Sequence, residues 1–427
     1  MMFKRYESYK ESGVEWLGEI PVGWEHYRLD WISTIIRGNT GFKKDELLTK
    51  GEYIALQYGK TYKVDEVNES FNFFVNSEFY KSSQVVHFGD TIVVSTSETI
   101  EDLGHSYFYN RNDVGLIGGE QILLKPNKKL TFDKFLYYSS KVFCIQVRKY
   151  ATGLKVFRFN TDNLKVLISM PSAEEQESIA TYLDQKTQAI DKEIRLLEQK
   201  IASYKTLKQT LINETVLRGL DKNRPLKESG VAWIGKIPVG WEINRIGTAF
   251  QERSTKVSDK DYRPLSVTQK GIVPQLENVA KTMHNDNRKL VLKGDFVINS
   301  RSDRRGSSGI AEEDGSVSVI NIVLQPRKHF YGKYLHHLFR SYAFIEEFFR
   351  HGRGIAYDLW TTKYSVMKAI DFAYPSIAEQ DQIANYLDEK TKTIESITQT
   401  IEQKISLLKE LRKTLINDVV TGKIKVA

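Results

Sequence analysis

With 427 residues, 41% of them hydrophobic and 27% charged, the chain has enough apolar mass to bury two to four separate cores. No apolar stretch approaches the roughly 20 residues of a membrane span, and residues 1–10 lack the apolar segment of a secretion signal, so the expectation is a cytoplasmic protein with no membrane partner. The single cysteine, Cys144, rules out an internal disulfide and reads as a buried, inert thiol; the net charge of +8 and pI near 9.1 suit a polyanionic partner without requiring one.

The first segment is written twice. Lys10-Glu-Ser-Gly-Val-Glu-Trp-Leu-Gly-Glu-Ile-Pro-Val-Gly-Trp-Glu25 returns as Lys227-Glu-Ser-Gly-Val-Ala-Trp-Ile-Gly-Lys-Ile-Pro-Val-Gly-Trp-Glu242, identical at 13 of 16 positions. Trp16, Trp24, Trp233 and Trp241 lie in this motif. Because it is constant while its surroundings differ, it cannot discriminate between targets: it is either scaffold core or a docking surface for a duplicated partner.

Residues 26–170 form the first variable block, with 19 basic and 16 acidic residues, net +3. Its turn-plus-strand signal, Gly89-Asp-Thr-Ile-Val-Val-Ser95, marks a mixed α/β domain. Polar and aromatic side chains suited to base edges and phosphates gather in three places: Gln57, Tyr58, Lys60 and Tyr62; Ser95 and Ser97; and Lys155 and Arg158 in Gly153-Leu-Lys-Val-Phe-Arg158. Packing and turn roles for the Tyr and Ser residues are the competing reading.

From Ser172 to Leu217 there is no Gly or Pro, and Leu183, Thr187, Ile190, Ile194, Leu197, Ile201 and Tyr204 step by three and four, which predicts a heptad helix. Pro171 and a Ser172-Ala-Glu-Glu175 capping box open it, and Gly219 closes it. The same pattern recurs from Pro375 and Ser376 to Gly422, through Leu387, Thr391, Ile394, Ile401, Ile405 and Leu408. A helix of about 45 residues spans roughly 65 Å, too long for a small core, so the two are expected to pack as an antiparallel coiled coil with a reading block at either end.

Between the helices, residues 243–374 make a second variable block with 21 basic and 14 acidic residues, net +7. Gly294-Asp-Phe-Val-Ile-Asn-Ser300 is the counterpart of the strand at 89–95. After it, Ser300-Arg-Ser-Asp-Arg-Arg305 supplies Ser300, Arg301, Arg304 and Arg305, the strongest group for gripping guanine or phosphate; Lys270 and Arg353 complete the block's candidates. Arg301 to Gly309 is expected to be a surface loop.

Signals for catalysis are thin. Gly306-Ser-Ser-Gly309 lacks the lysine of a nucleotide loop, His336 and His337, adjacent on a predicted helix, point to different faces with no cysteine partner near, and Glu198-Gln-Lys200 and Glu402-Gln-Lys404 lie on the helices as solvated charges. No motif of a self-contained adenine methyltransferase occurs.

The repeated motif at 10 and 227, the repeated Pro-Ser-x-x-Glu-Gln-x-x-Ile-Ala-x-Tyr-Leu-Asp at 171 and 375, and the strands at 89 and 294 resemble the specificity subunits of type I restriction-modification systems over essentially the whole chain. The fold class expected is α+β: two mixed α/β target-recognition domains in pseudo-twofold tandem repeat, separated by two long helices. The expected domains are 1–170, a spacer helix 171–220, 221–374, and a second spacer helix 375–427. The resemblance implies a non-catalytic subunit that reads a bipartite double-stranded DNA target. It further implies two modification subunits that bind S-adenosylmethionine, and two restriction subunits that use ATP and Mg²⁺, with no cofactor in this chain. Two rival readings are a DNA-binding adaptor without methyltransferase partners and an enzyme with an unrecognised nuclease site; co-purification of a larger subunit, and cleavage by the isolated chain, discriminate them.

Overall fold

A computed structural model describes residues 4–275, 286–354 and 360–426. The chain folds as two compact units, one built from residues 1–196 and 404–427, the other from residues 197–403. Each unit therefore contains a variable block, the repeated motif, and a length of both long helices, Ala173–Arg218 and Ile377–Val420.

Within each unit the two helices run antiparallel. Lys404 pairs with Glu193 at 2.7 Å and Arg412 with Asp191 at 3.0 Å in the first; Lys208 pairs with Glu395 at 2.6 Å in the second. The stepping residues Leu183, Thr187, Ile194, Leu387, Thr391, Ile394, Ile401 and Ile405 are buried, whereas Leu207, Leu407 and Leu411 stay exposed, so the buried stripe is the heptad one. Glu198 and Glu402 lie on the solvated faces of these helices.

The two sheets that carry the variable blocks have the same order. In the first unit Ser33–Arg37, Gln121–Pro126, Thr91–Val94 and Ser106–Tyr109 are neighbours, followed by Glu66–Val67. In the second they are Phe250–Glu252, Asn321–Pro326, Phe296–Asn299 and Ser308–Ile310. Apolar pairs such as Ile92↔Leu123 and Val297↔Val323 hold each centre, and both faces are covered, which is why these strands read as unbroken apolar runs.

The repeated motifs are scaffold. Trp24 and Trp241 are 2% and 1% exposed, and Trp16 and Trp233 pack against the same cores. Trp24 Nε1 donates to Glu175 at 3.0 Å and Trp241 Nε1 to Glu379 at 3.1 Å. This corrects the expected capping box. Ser172 and Ser376 do accept from the backbone N–H of Glu175 and Glu379, but both carboxylates turn to the tryptophans instead of back to the cap. The neighbouring Gln176 and Gln380, both buried, accept from the N–H of Phe132 and Tyr331, docking the block's own helix onto the long one. The Glu-Gln pair of the second repeat is thus a two-way clamp.

Each long helix ends where its motif lies. Gly219 and Gly422 take φ of 76° and 78°, and a Cβ on Gly422 would stand 2.4 Å from Pro21, so left-handed backbone and close approach both demand glycine. The motif of the first unit, which opens the chain, packs on the end of the second long helix: Tyr9 Oη donates to the Gly422 carbonyl, and Lys4 bridges Lys425. The motif of the second unit meets the end of the first helix in the same way, but by direct continuation of the chain.

A second expectation fails. Asp303 and Arg304 are exposed and Arg301 and Arg305 half-buried, but Ser302, Ser307 and Ser308 are buried and Ser308–Ile310 is a strand of the sheet, because small side chains let Gly309 approach Gly271 closely. Cys144 is buried, and burial pushes its thiol up to about 12, so it is inert. Among the described residues, no helix is long and apolar enough to cross a membrane.

Candidate nucleic-acid interface

Equivalent strands deliver different side chains to the same corner of each unit. In the first, the strand Thr91–Val94 runs into Ser95, and the short strand Thr96–Ser97 pairs with Phe157–Arg158, Thr96 opposite Arg158. The fold thereby joins candidates that lie some sixty residues apart in the chain. Tyr58 joins them from a one-turn helix, Tyr58–Thr61, which Gln121 pins through Thr61 Oγ1 at 2.7 Å. Its hydroxyl has Ser97 as a partner; burial first, then the Glu120 and Glu98 carboxylates, raise its pKa.

Glu120 sits at the centre of this cluster, and sequence reading missed it. It has φ 66°, the one non-glycine residue with positive φ among those described, and its carboxylate lies 3.4 Å from Arg158. Holding a non-glycine there costs about 1 kcal/mol or more, which the packed turn absorbs. The remaining candidates spread out. Lys60 lies over the Phe73 ring at 4.6 Å, and Tyr62 packs beside Tyr58 at 5.8 Å. Gln57 is half-buried just before the one-turn helix, and Lys155 is exposed on a hairpin tip.

In the second unit Ser300 follows Phe296–Asn299, as Ser95 follows its strand. Arg301 bridges Thr361, and Thr361 exchanges backbone hydrogen bonds of 3.0 and 3.1 Å with Arg353. This is the architecture of the first unit, where Thr96 faces Arg158 and Arg158 exchanges bonds with Thr152. The backbone pairings of Thr152 with Arg158 and of Arg353 with Thr361 are therefore equivalent, a relation the sequences do not disclose.

A cavity of about 1050 Å³ opens beside this corner, between the loop and the hairpin Leu265–Thr268/Gly271–Pro274. Lys270 and Arg304 line it, with Gln269, Gln275, Asn299 and Asp303. Arg304 has the most open guanidinium of the three candidates, its side chain 68% exposed and 3.7 Å from Asp303. Arg301 is held by Asp303 at 2.9 Å, and Arg305 by Glu346 at 2.6 Å while lying over the Phe349 ring. Gln269 and Gln275 were missed because amides beside a hairpin turn carry no distinctive pattern.

Ser95, Ser97 and Ser300 are buried in the free protein. Ser300 Oγ donates to the Ile320 carbonyl at 2.7 Å, and the Ser95 backbone N–H donates to Glu120 at 3.0 Å, so both serines shape the loops that follow. His337 is structural: its Nε2 lies 2.8 Å from Asp388 on the long helix, where Tyr138 meets Asp184 at 2.6 Å in the first unit.

Residues 21–202 match the family model described as type I restriction modification DNA specificity domain. Over its whole length the chain is 23% identical to the type I restriction enzyme MjaVIII specificity subunit of Methanocaldococcus jannaschii, covering 98% of that protein. It is also 23% identical, over 51% of the chain and 47% of the relative, to the StySPI specificity subunit of Salmonella potsdam. Among solved structures, one from a study of complex assembly and conformational transition of the type I R-M system aligns with a TM-score of 0.70 at 16% identity, covering 94% of this chain and 98% of that one. The HsdS subunit of Thermoanaerobacter tengcongensis aligns with a TM-score of 0.51 at 15% identity, over 95% and 98%. The fold is a tandem repeat of two α/β units carried on two long helices, and it is the fold of these solved structures. Residues 21–202 thus resemble a type I DNA specificity domain, and the chain as a whole is similar to a type I restriction enzyme specificity subunit.

Proposed function

We propose that each unit reads one half of a bipartite double-stranded DNA target, and that this reading directs adenine methylation and restriction by partner subunits. The observation that carries the proposal is the contrast within one scaffold. The sheet order, the Glu-Gln clamp and the bridges Thr152–Arg158 and Arg353–Thr361 are common to the two units, while the side chains at the shared corner differ in kind. A protein that recognises one thing twice has no use for that difference.

In this reading Lys155, Arg158, Lys270, Arg304 and Arg353 meet phosphates or guanine edges; Gln57, Tyr58 and Tyr62 offer hydrogen bonds and ring faces; Lys60, Arg301 and Arg305 are released from their intramolecular partners on contact. Ser95, Ser97 and Ser300 set the loop shapes. The chain acts without a cofactor or catalytic site of its own. Two modification subunits supply S-adenosylmethionine chemistry, and two restriction subunits supply ATP- and Mg²⁺-dependent cleavage. Sequencing the methylome of the host with the gene present and deleted is the test: one interrupted adenine-methylated motif should vanish on deletion, and a methylome identical in both strains would overturn the proposal.

A further inference from the structure

Leu154 is 98% exposed, the most open large apolar side chain among the described residues, and the backbone around it is not slack. Thr152 and Arg158 exchange two backbone hydrogen bonds of 2.9 Å across the base of its hairpin, and Arg158 is held again by Thr96. The stem residues Ala151 and Phe157 pack against the core of the first unit. At the tip, Gly153 takes φ of 113°, and a Cβ there would lie 2.0 Å from the Val156 carbonyl, so only glycine closes the turn. A rooted, tightly closed hairpin thus presents one leucine to solvent, with Lys155 exposed beside it and Arg158 exposed at the base.

We infer that Leu154 is an apolar wedge that enters the duplex between base pairs of the first half-site. The inference rests on the DNA-reading function proposed above. Proteins that kink DNA insert a single aliphatic or aromatic side chain into a base step while neighbouring cations grip the phosphates, and a leucine flanked by Lys155 has that composition. A protein-docking surface calls instead for a contiguous apolar patch, which one leucine beside a lysine does not make. The role is positional: Leu154 would favour steps that unstack readily, adding specificity at base pairs that no polar side chain touches.

The test uses the full chain assembled with its modification partner. The probes are duplexes in which 2-aminopurine replaces, one at a time, adenines of the first half-site and its flank other than the adenine that is methylated. The wild-type complex should raise fluorescence at one step. Leu154→Ala should abolish that rise and weaken cognate binding about tenfold while leaving binding to unrelated duplex unchanged, and Leu154→Met should keep both properties. An Ala variant with wild-type fluorescence and affinity overturns the wedge. Weakened assembly with the modification partner in the absence of DNA also overturns it, since Leu154 would then be a protein contact. A wild-type complex that binds no motif in preference to unrelated duplex fails the parent reading itself, a result distinct from either.

Discussion

The two units build the same corner with different chemistry. In the first, Tyr58, Ser97, Glu120 and Arg158 form a compact cluster with one acid at its centre, in a block of net charge +3. In the second, Arg301, Arg304 and Arg305 share one loop and Arg304 lines a cavity of about 1050 Å³, in a block of net charge +7. Sheet register determines where the chain leaves the sheet in each, and that is the same. What the chain does a few residues beyond the buried serines is less constrained by the core, so it is free to vary. On the proposed function, recognition is separable from folding, since the Trp–Glu bond and the Gln clamp are the same in the two units while the corner loops differ.

That separability is broken or sharpened most by exchange. Replacing residues 26–170 with the matching block of a relative should change one half of the methylated motif and leave the other, read from the methylome. Altered specificity in both halves of a folded chimera would show that the corners are coupled.

A second test bears on what joins the units. Adding one heptad to each long helix, between Ile201 and Leu207 and between Ile405 and Leu411, lengthens the seam by about 10 Å in register. That equals roughly three base pairs, with a rotation of roughly 100° at about 10.5 base pairs per turn. The assembled variant should demand a longer spacer or lose methylation; an unchanged motif would mean that spacing is set elsewhere.

The arginine corner divides next. Arg304→Ala should weaken cognate binding by about 1 to 3 kcal/mol, relaxing one base position if it reads an edge and all sites alike if it grips phosphate. Arg305→Ala, which loses the Glu346 pair and the Phe349 stack, should act in part by loosening the loop. Binding titrations against a panel of single-base variants separate these outcomes, and wild-type affinity in the Arg304 variant would remove this corner from the interface.

Much of this organisation is legible in sequence for a physical reason. Repeats, caps and heptads are local patterns written in consecutive residues, and the duplication supplies its own control: what stays the same in both copies is scaffold. The Glu-Gln pairs were visible as a motif but not as a clamp, because their partners lie some 40 to 150 residues away. The cluster around Glu120 was hidden for the same reason, and its positive φ is a property of a packed turn that the residue type disfavours. The pairings of Thr152 with Arg158 and of Arg353 with Thr361 lie in segments with no alignable pattern, and only strand pairing relates them. The buried strand at Ser308 was misread because Gly and Ser are ordinarily loop residues, and here they serve close approach instead.

The smallest expected effect concerns acid stability, where the first unit carries a buried charge cluster. Asp65 accepts Lys141 Nζ at 2.5 Å and Arg412 Nη2 at 2.8 Å. Partial burial pushes its carboxyl up, but the two cations outweigh it and hold it at about 2, below the roughly 3.9 of an unfolded aspartate. Its stabilising contribution is therefore complete above pH 4 and is lost as pH falls toward 2. His105 behaves differently. Burial, then the Lys141 charge, lowers its pKa to about 4 against roughly 6.5 unfolded, and its Nε2 sits 2.7 Å from the Val64 carbonyl as a neutral donor. The fold thus favours the unprotonated ring, and stability falls as pH drops from 6.5 to 4, because only the unfolded state takes up the proton freely. In the second unit burial lowers His336 and His337 in the same direction, so both units soften over this range. His105→Gln keeps an N–H donor for Val64 without a titrating ring. Its melting temperature should fall less than wild type between pH 7 and pH 5 and fall in parallel below pH 4, where Asp65 governs. Parallel curves across the whole range would show that the ring at 105 already titrates freely in the folded unit.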